Sequence, residues 1–134
     1  WRLLRQRSAP ATRKRTENMT DVVPLILQDI AERGGSTRHP DTGAVPTAGY
    51  AVSLRPEDEL RVPVCDAGLD AVIRHWLAGR TMGSDEYVGA WVDGADVVLD
   101  VSTVVPGYWG AVALGRVAQQ DAIYDIEHGK EIRL

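Results

Sequence analysis

The sequence predicts an α+β domain: an antiparallel sheet with helices on one face. Three observations carry this. A hairpin pattern, YVGAWV and VVLDVST around Asp93-Gly94-Ala95-Asp96, sits at residues 87–103. Two segments on its N-terminal side repeat apolar residues at helical spacing, over Val22–Ile30 and Leu69–Leu77. Short strand-like runs bounded by Pro and Gly fill the rest. Leaving out the first helix, the order is the ferredoxin-like β-α-β-β-α-β. A different α+β meander, completed by that first helix, is the alternative.

The elements follow from local chemistry. From about Thr20, Val22, Val23, Ile26, Leu27 and Ile30 fall on one helical face. Asp21 can cap that helix, Pro24 sits in its first turn where a missing N–H matters least, and Gly34-Gly35 ends it. Residues 36–49 have no period and read as a loop. Tyr50–Leu54 is a short strand, and Arg61–Val64 adds a second that Pro63 restricts to an edge. Asp66 is a good N-cap for the helix bearing Leu69, Val72, Ile73, Trp76 and Leu77, with Asp70 and Arg74 paired on its wet side and Gly79 closing it. In the strand at 97–103, Val97, Leu99 and Val101 point one way while Asp100 and Ser102 point to a wet or partner-facing side. Residues 108–119 form a helix expected to pack through Trp109, Val112, Ala113 and Val117. Ala122–Ile126, a turn at His128-Gly129 and Glu131–Leu134 make the last strand and a short return.

Composition bounds the function. The 134 residues carry 44% hydrophobic and 25% charged side chains and no Phe, the balance of one ordinary globular domain. Residues 1–18 sum to +5, so the net charge of −4 leaves −9 on the other 116 residues. An acidic body argues against general nucleic-acid binding, which needs a cationic face. The basic segment, WRLLRQRSAPATRKRTEN, has a composition suited to disorder. MTDVVPLILQDI after it, from Met19, reads like a natural beginning. Residues 1–18 are therefore expected to lie outside a single fold spanning 19–134. They could be in-frame upstream sequence, a remnant of cloning, the end of a larger protein or a targeting arm, and salt-sensitive nucleic-acid binding through them is one functional reading. A single Cys65 permits no internal disulfide, and no apolar run spans a bilayer, so a cytoplasmic home is expected.

No spacing assembles a catalytic set. Cys65 and His75 are ten residues apart, about 15 Å along one helix. His39, His75 and His128 lack metal-ligand spacing, and Asp93, Asp96 and Asp100 lack the glycine and closing glutamate of a calcium loop. No phosphate-binding glycine motif or nucleophile elbow occurs, so no cofactor or metal is expected. If the chain is an enzyme, its site forms only in three dimensions. Asp100, Arg116, Asp125 and His128 are then the polar groups nearest the sheet's end.

The aromatic residues point to a surface. Tyr87 and Trp91 share one face of their strand, and Tyr50 or Tyr124 can join them depending on register. Aromatics on the open face of ferredoxin-like RNA-binding domains stack on bases, but the basic pattern those domains carry is missing here. A protein partner or a second copy fits Tyr and Trp better. The competing reading places both beneath the first helix as core.

The runs YVGAWVDGADVVLDVSTVV and ALGRVAQQDAIYDIEHGKEIRL resemble small uncharacterised proteins and domains of actinobacterial phages and other mobile elements. The shared elements are a Gly89–Gly94 hairpin, a Leu99–Ser102 strand, an Ala111–Arg116 helix segment, and Ala122–Asp125 followed by Gly129–Ile132. The resemblance covers roughly residues 45–134, with TAGYAVS at 47–53 as its opening strand. It implies an accessory protein of a mobile element and brings no catalytic residues; with no catalytic spacing in the chain, a non-enzymatic accessory or interaction domain is expected.

Overall fold

The computed structural model describes residues 20–64 and 67–134. The expectations for residues 1–18, for Cys65 and for the Asp66 cap fall outside them. Among the described residues, three helices and seven strands form one α+β unit. No helix among them is long and apolar enough to cross a membrane.

The 87–103 hairpin is the centre of the sheet. Strands β4 (Glu86–Asp93) and β5 (Asp96–Val105) pair from Glu86↔Thr103 to Asp93↔Asp96. Gly94, at φ 61°, supplies the left-handed conformation that so tight a turn requires. The other edge of β5 is shared. Strand β2 (Tyr50–Ser53) lies against Ser102–Val105, and β3 (Leu60–Pro63) lies against Asp96–Leu99. A single 3₁₀ turn, Pro56–Asp58, bridges the two. Arg55 braces this break, its guanidinium 2.7 Å from Asp58 and 3.0 Å from Glu86.

Beyond β2 come β6 (Ala122–Asp125) and β7 (Lys130–Arg133). On the far side of β4 lies β1 (Gly35–Arg38). Every pairing is antiparallel, in the order β1-β4-β5-β2-β6-β7 with β3 beside β5. The sheet does not reduce to a four-stranded ferredoxin-like arrangement, because β1, β3 and β7 also join it. Strand β1 corrects the expectation of a loop over 36–49. GSTR shows no apolar alternation, and its pairing is secured from the neighbouring helix, as described below.

All three helices lie on one face. Helix α1 (Val23–Arg33) and α2 (Leu69–Ala78) bring Val22, Val23, Ile26, Ile73 and Trp76 onto Val88, Ala90, Val97, Leu99 and Val101. Helix α3 (Tyr108–Val117) brings Ala111 and Val112 onto Val52 and Ile123. The period of two along each strand places these sheet residues on one side. Burying this aliphatic set is the main stabilising term, at about 25 cal/mol per Å² of apolar surface.

The outward side of α3 departs from expectation. Only Val112 of the four residues assigned to its packing side is buried. Trp109 is 77% exposed and Val117 82% exposed, and Ala113 is exposed too. The phase is set by Gly115, where an added Cβ would come within 2.6 Å of Leu134 and 3.0 Å of Ile123. A Cβ there would push Leu134 and Ile123 aside, so glycine lets that side of the helix approach the sheet closely.

Candidate functional site

Two regions are candidates for a functional surface: the helix-free face of the central hairpin, and the outer face of α3.

On the hairpin, Tyr87, Gly89 and Trp91 of β4 stand opposite Ser102, Asp100 and Val98 of β5. Helix α1 packs on the reverse side, against Val88 and Ala90, so it does not cover the two rings. Both rings are half-buried, and Tyr87 meets His39 edge-on at 5.6 Å. The register decides which other tyrosine shares this face. Tyr124 pairs with Ala51, placing it on the helix-free side, two strands beyond β5. Tyr50 pairs with Val105 and Asp125 on the helix side, where its ring contacts Tyr108 at 5.8 Å. Tyr50 therefore does not join Tyr87 and Trp91.

The polar residues of this face are not wet, against expectation. Asp100 is 3% exposed and Ser102 is also buried. The Ser102 hydroxyl donates to Asp100 Oδ1 at 3.0 Å. Ser53, opposite Ser102 on β2, has a buried hydroxyl without a hydrogen-bond partner. Gly89 makes the arrangement possible, because a Cβ there would collide with Asp100 Oδ1. Burial pushes the Asp100 carboxyl up to about 6; the Ser102 hydrogen bond opposes the shift, and the charge of Glu59 adds to it.

The four residues named for an enzymatic reading do not converge. Asp100 lies on the helix-free face and Asp125 on the helix face, where its register partner is Tyr50. Asp125 and His128 do meet, with His128 Nδ1 2.9 Å from Asp125 Oδ2 and the His128 N–H donating to Oδ1 at 3.2 Å. Burial alone would raise the Asp125 carboxyl, but the His128 N–H and ring hold it below its ordinary value. This is a side chain closing the β6–β7 turn. Arg116 points outward from α3 and is exposed. A shallow groove runs along α2 instead, lined by Leu60, Val72, His75, Trp76 and Arg80. Arg80 is committed there, stacked 4.6 Å over the Trp76 ring. Among the described residues no cluster of His, Cys, Asp and Glu could hold a metal ion.

The outer face of α3 is the region that the periodicity reading missed. At 100° per residue, Trp109, Gly110, Ala113, Leu114 and Val117 fall within an arc of about 140° directly opposite the buried Ala111, Val112 and Gly115. All five are exposed and none is charged; Arg116 borders the arc. Tyr108 meets Trp109 edge-on at 4.8 Å and extends the patch toward Tyr50. The signal was in the sequence. Apart from Arg116, YWGAVALGRV carries no charged or strongly polar side chain on any side, and a helix so apolar is ordinarily covered on both sides.

No family model, curated protein or solved structure matches the chain.

Proposed function

We propose that this chain is a non-catalytic protein-interaction domain whose contact surface is the outer face of α3. The carrying observation is that Trp109 and Val117 stand 77% and 82% exposed near the two ends, along the helix axis, of an uncharged face. Scattered apolar residues are normal on a surface, but a contiguous set including Trp is characteristic of a binding face. The half-buried Tyr87 and Trp91 on the hairpin offer less apolar area to a partner. The resemblance of the 87–105 and 113–134 segments to mobile-element proteins supports an accessory role in such an element, working in the cytoplasm. The acidic body favours a protein partner over a nucleic acid.

Photocrosslinking inside the cell tests the reading. p-Benzoylphenylalanine in place of Val117 should yield a discrete adduct, whereas the same residue in place of the exposed Glu32 on α1 should not. Equal, diffuse labelling from both positions would overturn it.

A further inference from the structure

We infer that the outer face of α3 binds a second copy of this chain, through antiparallel packing of α3 on the partner's α3 about a two-fold axis at Ala113. This rests on the interaction reading above and names its partner.

Three observations select a second copy. The first is the order of side-chain sizes along the arc. Trp109 is at one end, the small Gly110 and Ala113 follow at the centre with Leu114 on one flank, and Val117 is at the other end. Trp109 and Val117 lie eight residues apart, about 12 Å along the axis. Reversing the helix about Ala113 sets each Trp109 beside the partner's Val117, large against small at both ends. A two-fold interface requires such self-complementarity, since one patch must fit its own copy.

The second is Gly110. A Cβ added there would meet nothing closer than a Val105 methyl at 3.6 Å, an ordinary contact. Its backbone is helical, so neither sterics nor conformation within the chain requires glycine. Glycine in a helix is nonetheless unfavourable relative to alanine. Gly115 on the opposite side is explained by the sheet; Gly110 is explained by a second helix approaching closely.

The third is area and charge. The exposures of Trp109, Leu114 and Val117 correspond to about 380 Å² of apolar surface, taking roughly 150–250 Å² for each complete side chain. Two copies bury about 760 Å² from these residues alone, which with the surrounding rim is the scale of a weak, transient interface. An arc with no charge has nothing to repel in its own image, whereas a differently charged partner would leave a complementary mark. The dimer should therefore be weak, with a dissociation constant of about 1–100 μM.

Sedimentation velocity on the full chain tests this. The wild type should shift from monomer to dimer across the micromolar range. Val117→Glu should weaken association about 100-fold or more, because each copy then buries an unpaired carboxylate. Its circular dichroism should be unchanged, because Val117 faces solvent in the monomer. Ala113→Cys in a Cys65→Ser background should form an intermolecular disulfide on mild oxidation, and Glu32→Cys should not. A wild type that stays monomeric throughout, or a Val117→Glu dimer as tight as the wild type, overturns the inference. A monomeric wild type whose position 117 still crosslinks to another protein overturns the second copy alone. Loss of that adduct as well removes the interaction reading with it.

Discussion

Asp29 on α1 and Asp100 on β5 are the same residue at the same depth, each 3% exposed, and the fold treats them in opposite ways. Asp29 is surrounded by donors. Arg38 of β1 grips it in a two-pronged contact, Nε at 2.6 Å and Nη2 at 3.0 Å, Ser36 adds a hydroxyl at 2.7 Å, and Arg33 reaches it from one turn along α1. Burial works to raise its carboxyl, yet the hydrogen bonds from Arg38 and Ser36 and the charges of both arginines hold it below the ordinary value. Asp100 has one hydrogen-bond donor, Ser102, and a carboxylate neighbour, and its titration moves upward. Depth alone does not set the charge of a buried carboxyl; the surrounding donors do. Asp29 ties β1 to α1, while Asp100 at neutral pH is a stored cost in the middle of the sheet.

The largest expected effect breaks the favourable member. Asp29→Ala should lower stability by about 2–4 kcal/mol in urea denaturation at neutral pH, because it removes the carboxylate that holds the half-buried Arg38 and loosens β1. Next comes the unfavourable member. Asp100→Asn should raise stability near pH 7.5, by up to about 3 kcal/mol, the equivalent of moving a carboxyl from 3.8 to about 6. The sign follows from linkage. The folded state holds the Asp100 proton more tightly, so the wild type should gain stability as pH falls from about 7 toward 4. Asp100→Asn should lose that gain, and a wild-type curve that falls across the window would count against it. Asp29 contributes in the opposite sense: its stabilisation is present above its unfolded value and is lost as pH falls through the lower, folded one.

Gly89→Ala sharpens the account of Asp100. It should cost about 1–3 kcal/mol by forcing the carboxylate off Ser102. The loss should shrink by at least about 0.5 kcal/mol in an Asp100→Ser background, a coupling that a double-mutant cycle would measure. The smallest effect separates the two arginines. Arg33→Ala should cost less than about 1 kcal/mol, since that side chain is largely exposed, and clearly less than Arg38→Ala.

Much of the frame was legible in the residues. The apolar period of Val22, Val23, Ile26 and Ile30 located α1, the Leu69–Leu77 period located α2, and Asp93-Gly94 located the central turn. Asp29 could have been found as well: a carboxylate three residues beyond Ile26 on the apolar face, with an arginine four residues later, asks for a partner. Strand β1 could not, because GSTR carries no alternation, and its pairing depends on β4 and on Arg38 reaching Asp29. Nor could the buried state of Asp100 be read, since alternation says only that it opposes Val101, not whether its side is wet.

By itself the sequence determined most of the helical and strand segments, β1 apart, and which residues alternate or recur on one face of each, because 3.6- and 2-residue periods are local properties of the backbone. It also determined that the α3 segment carries a single charge, Arg116, and is otherwise apolar. The tertiary structure alone decided which side of α3 meets the sheet. An apolar helix has no preferred phase until a neighbour supplies one, here Leu134 and Ile123 closing on Gly115. That choice left Trp109, Ala113 and Val117 on the outside, free for a second helix.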